Sequence, residues 1–286
     1  MEAAALAWWV WPLALFAVSF AIGIVAVLAG IGGGVLFVPI VAGFFPFHLD
    51  FVRAAGLLIA LSGALSASPR LLRGGLASLR LGLPLALVGS ITAIAGAALS
   101  FAVPTDALQA ALGATILVAV ALMWRAPRPL GNASDKPDAI TEALRLHGVF
   151  HDPASREDTA WRAQRTPAGL AAFALIGLIA GMFGLGAGWA NVPVLTLLMG
   201  VPLKLAVGTS GFILSVIDTA AAWVYLHRGA VLPMLVVPSI VGVMLGARLG
   251  ARALLRAPAK IVRRAVLVLL LLAALRALAR GFGLWT

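Results

Sequence analysis

The residues able to do chemistry in this 286-residue chain are few and sit in unusual places. Asp218, in the phrase SVIDTA, is the only acidic residue inside an apolar span. A carboxylate is expensive to bury charged, so Asp218 reads either as a proton carrier or as the structural partner of a neighbouring hydroxyl or of Arg228. Two glycine clusters, GIGGGVLFVP at 30–39 and GLGAGWANVP at 184–193, each interrupt an apolar run. Glycine permits positive φ and close backbone approach, and a helix restarting after such a break offers free N–H groups and about half a positive charge to an anion. The candidate binding residues are therefore Gly32, Gly33, Gly34 and Pro39 in the first cluster, and Gly186, Gly188, Asn191 and Pro193 in the second. Thr209 and Ser210 in AVGTSG, with Ser62, add hydroxyls. The competing explanations are close helix packing for the glycines and bonds to a helix's own carbonyls for the hydroxyls.

Other chemistries find no support. With no cysteine there is no thiolate ligand or nucleophile. His147 and His151 stand four apart but lack the H-E-x-x-H pattern, so no metal and no cofactor is expected. His227 lies nine residues beyond Asp218, too far along one helix for a catalytic dyad, and no enzyme is expected. No G-x-x-x-x-G-K-[ST] motif occurs. The net charge of +11 does not point to nucleic acid, because the Arg and Lys residues lie mainly beside apolar spans, where they act as topology signals.

The elements that must hold these residues follow from composition. The chain is 62% hydrophobic and 11% charged, with a mean hydropathy of +1.08, whereas soluble domains carry about a quarter charged residues. It is expected to be an all-α polytopic membrane protein whose partner is the lipid bilayer. Spans fall near 6–29, 52–69, 77–102, 106–124, 168–183, 205–226, 230–250 and 262–279. The apolar pieces 35–45 and 189–200 are too short to cross comfortably and read as half-helices. Residues 125–166 hold seven basic and six acidic residues and read as an aqueous, cytoplasmic linker. Within it, residues 139–151 suit a short amphipathic or solvated helix. The chain thus divides into a first half (1–124), a linker (125–167) and a second half (168–286).

The halves are related. Gly30, Gly32, Gly34, Val38 and Pro39 recur as Gly184, Gly186, Gly188, Val192 and Pro193, at a constant offset of 154. With the linker inside, Arg70, Arg73 and Arg80 also fall inside. Four simple crossings in the second half would leave the cations between Arg248 and Arg264 outside, whereas an extra partial crossing at each break returns them inside. That count makes the repeat inverted, the arrangement favoured here over a parallel one.

Together GIGGGVLFVPIV, GLGAGWANVPVL and LAVGTSGF, in two halves around a hydrophilic loop, resemble the TauE/SafE sulfite exporter family over nearly the whole chain. The resemblance implies a multi-pass inner-membrane secondary transporter of small sulfur-containing anions such as sulfite or organosulfonates, driven by an ion gradient, with protons the candidate coupling ion. Its glycine, Val-Pro and Thr-Ser positions carry over to the candidates named above. Ala187 opposite Gly33, and Ala55-Gly56 opposite Thr209-Ser210, make the halves unequal. An anion channel or an intramembrane enzyme are the alternatives.

Overall fold

The glycine clusters divide apolar sequence into long and short helices, and that division organises the structure. The computed structural model describes residues 9–29, 33–73, 75–125, 138–151, 158–186 and 188–253, with 268, 271, 274–275, 277–279 and 281–282 near the C-terminus. The first half contains α1 (Val10–Ala29), α2 (Gly33–Phe44), α3 (Leu49–Arg73), α4 (Leu79–Ser100) and α5 (Thr105–Arg125). The second contains α7 (Thr166–Phe183), α8 (Gly188–Pro193) running directly into a π-helical turn (Val194–Leu198), α9 (Leu203–His227) and α10 (Pro233–Ala253). Adding 154 to the bounds of α3 gives 203–227, the bounds of α9. Among the described residues, four helices are long and apolar enough to cross a bilayer: 49–66 of α3, α4, α7 and α9. Shorter apolar stretches lie in α1, α2, α5 and α10. The span expected at 262–279 lies largely outside the described residues.

Small residues at the crossings let backbones touch, which substitutes for the hydrophobic drive that lipid does not supply. On α1 a Cβ at Gly23 would fall 2.5 Å from the Val243 carbonyl oxygen of α10. At the same offset, Gly177 of α7 abuts the Gly89 carbonyl of α4. Helix α1 therefore packs on α10, and α4 on α7, each across the two halves. These pairs run parallel, since Phe16 and Phe20 meet Gly242 and Gly246 in that order, and Gly89 and Ala93 meet Gly177 and Gly181. Helices α3 and α9 run antiparallel: Arg53 faces Tyr225, Ala60 and Asp218 share Gly186 as a neighbour, and Leu76 abuts Gly208. Two faces of the bundle follow. Face A is where α1 and α3 begin and α4 and α9 end; face B is where α3 ends and α4, α7 and α9 begin.

The half-length pieces return the chain to the face it left. The ring of Trp11, at the start of α1, lies 5.9 Å from those of Phe45 and Phe47, just past α2. Beyond the π turn, the Met199 carbonyl accepts the Gln164 N–H at 2.9 Å, beside the start of α7.

The linker departs from the expected helix over 139–151. Helix α6 (Ala139–Ala143) stops after little more than one turn, and β1 (His147–His151) pairs antiparallel with β2 (Asp158–Arg162), Val149 opposite Ala160. The β-branched and aromatic HGVFH and DTAWR segments suit a pleated pair better than a helix. Four residues advance about 13 Å in a strand against about 6 Å in a helix, so the spacing of His147 and His151 loses its metal geometry. Asp138 accepts the Thr166 N–H at 2.7 Å and Thr141 bonds Thr166 at 2.6 Å, tying the linker to the start of α7 at face B.

Candidate functional site

Described glycines of both clusters lie against the same stretch of α3. A Cβ at Gly34 would fall 2.6 Å from the Leu185 carbonyl oxygen and 2.9 Å from that of Gly56. Gly56 in turn abuts Val38 and the Gly184 carbonyl, and Gly184 abuts the backbone of Arg53. Close approach therefore explains why Gly34 and Gly184 are glycine. Gly184 and Gly186 also hold φ of 67° and 69°, the left-handed region that glycine occupies without penalty. Gly33 is looser: its Cβ would lie 3.3 Å from Ile59 and 3.6 Å from Val243, both side-chain atoms. Gly32 lies outside the described residues.

Gly186 packs directly against Asp218 and Ala60. A Cβ there would stand 2.8 Å from the Ala60 Cβ and 3.2 Å from Asp218 Oδ2. Asp218 is fully buried, and among the described residues neither carboxylate oxygen has a hydrogen-bond partner. The bond to a hydroxyl or to Arg228 is not made; Arg228 instead lies over the Phe101 ring at 5.7 Å, in an exposed turn at face A. Asn191, on α8, is likewise fully buried with both amide atoms unpartnered, and α8 packs on α9. Unpaired buried polar groups are costly, and among the described residues Asp218 and Asn191 are two such groups on neighbouring helices near the second break.

The remaining candidates divide. Pro39 is buried within α2, and Pro193 closes α8, where its missing N–H helps the helix widen into the π turn. Gly188 begins α8. Ser62 donates to the Ile59 carbonyl at 2.8 Å, within its own helix. Thr209 and Ser210 are buried, but Thr209 Oγ1 accepts the Ser78 N–H at 3.0 Å, joining α9 to the start of α4 at face B. Nine residues, about 13 Å of helix, separate Thr209 from Asp218. The hydroxyl pair and the carboxylate thus occupy different depths.

One cluster has no counterpart among the residues singled out above. Arg53, only 1% exposed, donates from Nη1 to the Met182 carbonyl at 3.2 Å and from Nη2 to Asp50. Its guanidinium lies 5.8 Å from the Phe101 ring and 5.9 Å from the Tyr225 ring. The Tyr225 hydroxyl donates to the Gly181 carbonyl at 2.9 Å, with that of Met182 at 3.2 Å, and Ser100 Oγ lies 3.2 Å away. An arginine inside FVRAAGLL, and the only tyrosine of the chain, were the available signals.

Broken helices packed inside a bundle of apolar helices define a polytopic membrane protein. The chain belongs to the sulfite exporter TauE/SafE family, whose profile matches residues 15–277. Members are membrane transporters or exporters of sulfite or related anions, and this chain is a multi-pass membrane protein of that kind. No curated protein and no solved structure matches it.

Proposed function

We propose that the chain is a secondary transporter carrying a small sulfur-containing anion, such as sulfite or an organosulfonate, across the inner membrane by alternating access. In this reading the two halves, 1–124 and 168–286, are inverted repeats joined by a cytoplasmic linker. Antiparallel α3 and α9, which share the 154-residue offset, and the reciprocal α1–α10 and α4–α7 pairs support the inversion. Face B, which carries the loop of Arg80 and the linker, is the cytoplasmic face.

The observation that carries the reading is the contact of Gly34, at the start of α2, with Leu185 of the second break, where Gly186 lies against the unpartnered Asp218. The anion is held by amides of the restarting helices around Gly33, Gly34, Gly186 and Gly188, with the Asn191 amide as a neutral donor. Neutral dipoles hold an anion without the full charge that would slow its release. Asp218 carries the coupling proton, because an ionised carboxylate there has no donor to offset its burial. The second break alone carries it, since the residue 154 positions earlier is Ala64. Flux in vesicles with sulfite, thiosulfate, sulfoacetate, taurine and sulfate, with and without a pH gradient, tests this reading. Absence of gradient-dependent movement of every one of these would refute it.

A further inference from the structure

We propose that Arg53 and Tyr225 form a latch between the two halves, receiving the carbonyl end of α7 and holding the second break shut toward face A. The last four carbonyls of a helix have no partner within it, and inside a membrane each one left bare costs several kcal/mol. At the end of α7 the Ala180 carbonyl accepts the Gly184 N–H at 2.9 Å. The next two, on Gly181 and Met182, are met by side chains from other helices: the Tyr225 hydroxyl from α9 and the Arg53 guanidinium from α3.

The latch crosses the repeat boundary. Arg53, Ser100 and Phe101 belong to the first half; Met182 and Tyr225 belong to the second. Its position suits a gate. Arg53 is four residues, about 6 Å of helix, inside the start of α3, whereas Ala60, against Gly186 and Asp218, is about 10 Å deeper. The latch therefore stands between the proposed site and the water at face A. It is also built to be released. Asp50 neutralises Arg53, is itself partly exposed, and lies 3.3 Å from the half-exposed His48 at the rim. Arg53 can therefore leave the Met182 carbonyl without stranding its charge. The first half has no equivalent, since the residues 154 positions from Arg53 and Tyr225 are Val207 and Leu71.

This inference rests on the alternating-access reading, and labelling separates the two. The chain has no native cysteine, so Ser100→Cys reports the latch and Ser78→Cys reports face B, each with a membrane-impermeant maleimide added from either side. Arg53→Gln and Tyr225→Phe are expected to speed labelling of Ser100→Cys about tenfold, the shift that about 1.4 kcal/mol between two states produces. Arg53→Lys should stay near the parent rate, and Ser78→Cys should not accelerate in any of them. Tyr225→Phe removes one oxygen only, so it decides the matter if Arg53→Gln fails to insert. Unchanged Ser100→Cys labelling in Tyr225→Phe, while sulfoacetate, which does not consume maleimide as sulfite would, alters labelling of the parent, would overturn the latch and leave alternating access standing. Parallel acceleration of both reporters would mean general loosening and also overturn it. If neither sulfoacetate nor sulfate alters either reporter in the parent and no anion of the panel moves in vesicles, alternating access fails and the latch with it.

Discussion

Replacing Asp218 by Asn tests the coupling role at its narrowest point. The two side chains have nearly the same volume, so packing against Gly186 and Ala60 is kept while titration is removed. One pH unit across the membrane is worth about 1.4 kcal/mol per proton, which supports about tenfold accumulation of an anion that moves with one proton. The natural chain in proteoliposomes is therefore expected to concentrate labelled sulfite about tenfold across such a gradient. Asp218→Asn should level at a ratio near one yet still exchange labelled for unlabelled sulfite, since its binding groups are intact. The amide carries no charge into the interior, so the yield of folded protein should not fall. Equal accumulation by mutant and parent would refute the argument. Loss of folded protein with normal coupling in what remains would make Asp218 a structural residue instead.

Gly33→Leu and Gly188→Leu are expected to cut flux to below about a tenth while the protein still inserts, checked by transport against membrane yield, because a branched side chain at Gly33 pushes α2 off Ile59 and Val243 and one at Gly188 crowds the amides assigned to the anion. Asn191→Ala should raise KM for sulfite about tenfold with maximal flux nearly kept, the result of losing one buried donor to an anion. Thr209→Val leaves the Ser78 N–H unpaired and should cost about 1–3 kcal/mol in a detergent unfolding assay. A changed KM without lost stability would instead return Thr209 to the binding site.

The long and short helices could be read from hydropathy because their signals are local. Helix α2 and the helical run from Gly188 to Leu198 begin within two residues of the expected pieces. What could not be read is depth. Thr209 and Asp218 share a helix and a pattern, yet only the packing of α9 on α3 and α4 sets one at the α4 start and the other beside a break. Arg53 passed unnoticed for a related reason: a cation near a span end resembles a snorkelling topology residue, and its partners, Met182 and Tyr225, are 129 and 172 positions away. In the linker, β-branched and aromatic residues over 147–162 signalled strands, but a polar, charged stretch hides a short hairpin from any hydropathy window.

The reciprocal pairing of α1 with α10 and of α4 with α7 has a consequence for how such a chain is assembled and how it arose. Both pairs join a helix before the hydrophilic segment to one after it, so cut there each piece would turn the small-residue grooves of α1 and α4, or of α7 and α10, toward lipid. The two pieces should thus be interdependent when expressed from separate genes, inert singly and competent together. Under the proposed inverted repeat, a single-repeat ancestor would have needed copies threaded both ways through the bilayer, and fusing them would have locked that pair of opposite orientations into one polypeptide.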